Sequence, residues 1–263
     1  MKAKYDKIGI DYDLTRKADP YLMERMLYHL QPTVEGVYLD IGCGSGNYTH
    51  EFQQYGGQYI GIDPSMTMLD KAKKRNTAID WRIGTAEETG LDTESVHGMT
   101  AFLTLHHWPD IHKGIAALAN VLKHKGRMVI FTSTPKQMKQ YWLCHYFPKM
   151  LAGSIAQMPS LASITKSLNN ADLEIITTAP YSIHPDLQDH FLYCGKHNPA
   201  IYFKPQIRNG ISSFSALAHT EEVIQGLANL RKDIDSGGIH RVMKSYENDL
   251  GDYVFIVGEK NCL

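Results

Sequence analysis

Val37-Tyr38-Leu39-Asp40-Ile41-Gly42-Cys43-Gly44-Ser45-Gly46 is the stretch on which the fold turns. Its first five residues are a short apolar run of the buried-strand type. The glycines at every second position that follow let the backbone turn tightly and approach a ligand without side-chain clash. Residues 47–55 read as a helix that Gly56-Gly57 ends, its N-terminus pointing at whatever the loop holds. Strand, glycine loop and helix in this order are the repeating unit of an α/β protein. The spacing narrows the ligand. A dinucleotide fingerprint wants its third glycine five residues after the first, where Asn47 stands, and phosphates have no use for a carboxylate such as Asp40 beside the loop. An ammonium-bearing amino acid does.

Upstream, Asp19 is placed to cap a helix that has Pro20 at its first position and Leu22, Met26 and Leu30 on one face. Downstream, Tyr59-Ile60-Gly61-Ile62 is a second strand and residues 65–75 a second helix, followed by strands at 79–83 and 98–105. Ile111, Ile115, Leu118 and Leu122 form an apolar helical stripe, and a fifth strand runs over 126–131. A helix at 160–169 and strands at 173–178 and 253–257 complete a count of seven strands. Residues 185–250 lie between the last two strands and carry Leu227, Leu230 and Ile234 at helical spacing, so they read as a helical insertion rather than a long loop. The expected division is 1–135 as the cofactor-binding part of the core, 136–184 as its end with part of a cap, 185–250 as a helical cap insertion, and 251–263 as the final strand.

The 263 residues suffice for one large core. With 27 basic and 28 acidic residues the formal charge is -1 and no run of one sign occurs, which argues against nucleic acid as a partner. No apolar stretch has the length of a membrane span and the N-terminus lacks a signal-peptide core, so a cytoplasmic protein with no membrane partner is expected. Cys43, Cys144, Cys194 and Cys262 are scattered, without zinc spacing, and read as free thiols; no metal site is expected.

Asp63, 21 positions beyond Gly42 at the end of the second strand, can accept both hydroxyls of a ribose. Met66 and Met68 follow on the next helix, where sulfur could pack on a base. Asp40 through Gly46, Asp63-Pro64-Ser65-Met66-Thr67-Met68-Leu69, Gly84-Thr85-Ala86-Glu87 and Leu105-His106-His107-Trp108 together resemble the successive motifs of class I S-adenosylmethionine-dependent methyltransferases. The likeness is to the small-molecule branch that includes quinone-biosynthesis and trans-aconitate methyltransferases, and it spans roughly residues 5–135. It implies a Rossmann-like, seven-stranded, mostly parallel sheet with helices on both faces, and S-adenosyl-L-methionine as cofactor. Asp40, Gly42, Gly44 and Gly46 would hold the methionine end, Asp63 the ribose, and Thr85, Ala86 and Glu87 would border adenine beside Met68. Phe102 and Leu103 would lie near the methionine. Tyr5, Tyr12 and Arg16 resemble a segment that folds over the cofactor, with Arg16 pairing the carboxylate. Two positions depart from the pattern: Thr85 stands where many relatives have Asp, and His97 where many have an acidic residue.

Methyl transfer from a sulfonium is an in-line displacement, so the protein mainly aligns the nucleophile and excludes water. A general base is needed only for a protonated acceptor, and His106 is the candidate. The acceptor is expected under a cap formed by residues 140–158 and 185–250. Tyr141 and Tyr146, with Trp142 and Phe147, supply an aromatic wall; Tyr202, Phe203 and Arg208 supply a second one with a cation for an acceptor carboxylate. A non-catalytic cofactor-binding or partner subunit, a tRNA methyltransferase carrying the His-His pair, and an NAD-dependent oxidoreductase remain as alternatives, and the oligomeric state is open.

Overall fold

A computed structural model describes residues 15–262. Its core is one seven-stranded sheet in the order β3-β2-β1-β4-β5-β7-β6, formed by β1 (Val37–Ile41), β2 (Gln58–Asp63), β3 (Asp80–Ile83), β4 (Val96–Phe102), β5 (Leu122–Thr132), β6 (Leu173–Tyr181) and β7 (Tyr253–Lys260). The first five strands pair in parallel, and β7 runs antiparallel between β5 and β6. The class expected from the sequence, a mostly parallel seven-stranded sheet, is the class found.

Helix α1 (Pro20–Leu30) starts where Leu22 N–H donates to the Asp19 carboxylate at 3.0 Å, and it buries Leu22, Met26 and Leu30. Helix α2 (Asn47–Phe52) is shorter than the sequence suggests and tightens into a 3₁₀ turn over Gln53–Tyr55. Ser65 caps α3 (Met66–Arg75), and Asp110 caps α4 (Ile111–Val121) by accepting from His112 and Lys113 N–H. The sequence on the far side of β5 builds α5 (Pro135–Met138), α6 (Leu143–Tyr146), α7 (Pro148–Gln157) and α8 (Leu161–Asn170). Between β6 and β7 come α9 (Pro205–Asn209), α10 (Ser212–Ala216), α11 (Thr220–Ser236) and α12 (Ile239–Ser245).

Two apolar clusters sandwich the sheet. One packs α4 and α8 through Ile115, Leu118, Ile164 and Leu168 against Met99, Met128, Ile130 and Ile256. The other joins α1 and α2 to the cap: Phe131, Tyr253 and Phe255 of the sheet continue into Tyr141, Trp142, Phe147, Tyr193, Tyr202 and Phe214. The cap therefore shares the core of the sheet instead of resting on it, and burial of these aromatics fixes its position. Among the described residues no helix is long and apolar enough to cross a membrane.

Candidate functional site

Strand order reverses between β1 and β4, which leaves a crevice beyond the carboxyl ends of the strands, the usual place for a ligand in an open α/β sheet. A cavity of about 680 Å³ lies there. Asp40 and Gly42 from the end of β1, Asp63 from the end of β2, Thr85 beyond β3, and Phe102 and Leu103 from the end of β4 line it, with Gly44 and Met68.

The loop after β1 is pinned to β2. Gly42 N–H donates to the Ile62 carbonyl at 2.7 Å, and Gly44 N–H to Asp63 Oδ2 at 2.9 Å. Gly42, Gly44 and Gly46 all have positive φ, of 72°, 56° and 72°. A Cβ on Gly42 would run into Thr104 and one on Gly46 into Trp81, so those two glycines serve packing. One on Gly44 would meet no atom within 4 Å and would project into the cavity, so this glycine leaves room for a ligand.

Both carboxylates are held in place. Asp63 also accepts Ser65 N–H, at 2.8 Å. Asp40 accepts the hydroxyls of Thr49 at 2.5 Å and Thr100 at 2.9 Å. Burial pushes the Asp40 carboxyl up to about 6, against the two threonine hydrogen bonds that favour its ionised form; the nearby Asp63 adds to the rise. Three carboxylates (Asp40, Asp63 and Asp189) and one guanidinium (Arg16) are the charged groups among the described lining residues. This balance suits a cation and opposes a pyrophosphate.

A second, smaller cavity of about 70 Å³ adjoins the first beneath the cap. Ser133, Met138, Tyr141, Ser154, Met158, Phe191, Ile211, Ser213, Leu217 and Tyr253 are among its walls. Arg16, Leu103, His106 and Gln157 line both cavities and so mark the seam between them. Leu103 has φ of 49°, a left-handed conformation costly for its side chain, which is retained at this seam. Arg16 Nε donates to Asp189 Oδ1, with a second contact from Nη2 to Oδ2 at 3.3 Å. Tyr48 hydroxyl adds a third hydrogen bond to Asp189 at 3.2 Å.

Of the residues singled out from the sequence, Arg16, Asp40, Gly42, Gly44, Asp63, Met68, Thr85, Phe102 and His106 border the larger cavity. Tyr141 borders the smaller one. Gly46 begins α2 behind the loop, Ala86 is buried in the core, and Glu87 turns away to accept Asp110 N–H at 3.2 Å. Met66 is 49% exposed and lines neither cavity.

The cap assignments need two corrections. Tyr146 donates its hydroxyl to Asp233 at 2.8 Å and lines neither cavity, because its side of α6 faces α11. Arg208 donates to the Tyr202 carbonyl, closes a local turn and lines neither cavity. Trp142 and Phe147 likewise pack the cap internally. His97 accepts Val37 N–H at 2.9 Å, far from the crevice along β1. Tyr5 and Tyr12 lie outside the described residues.

Asn47, Tyr48, Thr104, Pro109, Gln157 and Asp189 border the larger cavity without having been singled out, and His107 of the quoted His-His pair borders it too. Asn47 and Tyr48 directly follow the glycine loop, and position alone could have flagged them. Asp189 and Gln157 carry no local signal, since only the folding of the cap brings them in.

Residues 39–130 match the family described as a methyltransferase domain. A ubiquinone biosynthesis O-methyltransferase of Rhodopseudomonas palustris (strain BisB5) is 37% identical over 98 residues, 36% of this chain and 38% of that protein. Its counterpart in strain BisB18 is 29% identical over 158 residues, 56% of this chain and 61% of that protein. The chain thus spans less than two thirds of the length of these curated relatives. Among solved structures, a protein of Anabaena variabilis assigned as a methyltransferase of an antibiotic biosynthesis pathway superposes with a TM-score of 0.83 at 27% identity, over 93% of this chain and 98% of that one. A geranyl diphosphate C-methyltransferase of Streptomyces coelicolor, crystallised with S-adenosyl-L-homocysteine, shares the fold at a TM-score of 0.57 and 14% identity, over 91% of this chain and 75% of that one.

Proposed function

We propose that this chain, which matches the methyltransferase-domain family over residues 39–130, is a class I methyltransferase that transfers a methyl group from S-adenosylmethionine to a small molecule held beneath the cap. The observation that carries the reading is the seam: a cavity lined by the strand-end motifs meets a second, largely apolar one at Arg16, Leu103, His106 and Gln157. A binding-only protein has no need of the second chamber.

In this reading Asp40 faces the cofactor's ammonium, Asp63 accepts the ribose hydroxyls, Gly44 gives the backbone close approach, and Met68 and Thr85 border the base. When bound, the cofactor supplies a methyl carbon already activated by positive sulfur. An acceptor lone pair forms the new bond to that carbon while the carbon–sulfur pair returns to sulfur. The protein's own work is to align the acceptor at the seam and to keep water out, through the cap residues Tyr141, Met158, Phe191 and Leu217. His106 borders both cavities and is the group that takes the proton when the acceptor is a hydroxyl.

Calorimetric titration with S-adenosylmethionine, S-adenosylhomocysteine and NAD tests the cofactor, and S-adenosylhomocysteine release across a metabolite panel tests the reaction. Binding of NAD in preference to both sulfur compounds would overturn the reading.

A further inference from the structure

If the chain transfers methyl groups as proposed, the wall chemistry of the smaller chamber decides which acceptors can enter it. Its hydroxyls are largely spent on one another. Ser154 donates to Ser213 at 2.7 Å, Tyr141 donates to Ser133 at 2.9 Å, and Ser133 in turn donates to the Asp252 carbonyl. Met138, Met158, Phe191, Leu192, Ile211 and Leu217 make up much of the remaining wall.

Among the described lining residues Arg16 is the one with a permanent charge, and that charge is already engaged. Asp189, itself 1% exposed, accepts from two of its guanidinium nitrogens and is steadied by the Tyr48 hydroxyl. Three further contacts clamp the partners. Arg16 carbonyl accepts from Asn47 Nδ2 at 2.7 Å, His190 N–H donates to the Thr15 carbonyl at 3.0 Å, and Gln188 N–H donates to Asp19 at 3.0 Å. The ion pair is therefore pre-built across the junction of cap and core. A carboxylate entering the chamber would lose its hydration, find the cation taken, and meet the field of Asp189 from the cofactor side.

We infer that the acceptor is an uncharged, largely apolar molecule, and that Asp189 is the residue that enforces this by cancelling Arg16 at the seam. Asp189 is thus a specificity-determining residue supplied by the cap. It also explains why the chamber has no need of a cation such as Arg208.

Near-isosteric pairs that differ in charge test the inference: 4-hydroxyacetophenone against 4-hydroxybenzoate, and 4-phenyl-2-butanone against 3-phenylpropanoate. Each is titrated against the full chain with and without saturating S-adenosylhomocysteine. The wild type should bind each ketone about tenfold or more tighter than its acid. Asp189→Asn keeps the side-chain shape and an acceptor for Tyr48 but removes the carboxylate that faces the Arg16 guanidinium, so it should shift the ratio towards the acid by about tenfold or more. The double variant Arg16→Gln with Asp189→Asn removes both charges and should restore preference for the ketone. It separates charge from damage to the fold, which melting curves monitor. Tighter binding of the acids by the wild type, a ratio unmoved in Asp189→Asn, or no binding of either ketone overturns the inference. Failure to bind S-adenosylhomocysteine instead refutes the methyl-transfer reading, while the order within each pair still decides this one.

Discussion

Replacing Gly44 and Gly46 separately by alanine divides the loop's two jobs. Both glycines sit at positive φ, 56° and 72°, so each alanine carries the left-handed strain of about 1–2 kcal/mol. At Gly46 the new methyl would lie 2.4 Å from a Trp81 ring carbon. Trp81 cannot yield easily: it is 8% exposed and its indole N–H donates to the Asn76 carbonyl at 2.7 Å. Overpacking adds about 1–3 kcal/mol there. At Gly44 the methyl meets no protein atom, so the strain is the whole cost to the fold, yet the methyl occupies space in the cavity. Gly44→Ala should therefore melt roughly 2–8 °C below wild type, at about 2–4 °C per kcal/mol, and bind S-adenosylhomocysteine at least about tenfold more weakly. Gly46→Ala should melt lower still. Differential scanning calorimetry and isothermal titration measure the two effects. Wild-type affinity in Gly44→Ala, or a Gly46→Ala no less stable than Gly44→Ala, would refute the division of roles.

Asp63→Ala should weaken S-adenosylhomocysteine binding by roughly 1.5–3 kcal/mol, the range for hydrogen bonds to a charged group. The same titration detects this, and unchanged affinity would remove the ribose assignment. Asp40 gives a pH dependence. Its carboxyl is raised to about 6 by burial, so in the unliganded protein its contribution to stability is present below about pH 4 and is lost as pH rises through about 6, up to about 3 kcal/mol in all. An ammonium beside it reverses the preference, so cofactor affinity should climb as pH rises from 5 to 7, with proton release on binding. Asp40→Asn should flatten both profiles, and profiles unchanged by that substitution would show that another group titrates.

What the sequence disclosed and what it hid divide along a physical line. Asp40, Gly42, Gly44, Asp63 and Thr85 sit where a strand ends, and each such end is written locally as an apolar run followed by a turn residue or cap. Chain neighbours build that part of the site, so reading along the chain finds it. Strand lengths were less legible where polar residues extend a strand into solvent. Lys123 and His124 disguise the start of β5, and Pro180 reads as a breaker although it lies in β6, an edge strand, where proline is tolerated. The cap misled for a different reason: aromatic density marks a core as readily as a pocket wall, and Trp142, Phe147 and Tyr202 went to the core while Tyr141 also faces the chamber.

The contact that matters most at the seam joins residues 173 positions apart, Arg16 and Asp189, and no periodicity records such a pairing. This separation has a functional consequence. In the proposed reading the strand-end loops face the cofactor and the cap segments face the acceptor, and the residues common to both chambers are Arg16, Leu103, His106 and Gln157. On that reading the loops bind the cofactor and the cap's side chains select the acceptor, and the matched ketone and acid probes read the cap's share through one side chain, Asp189.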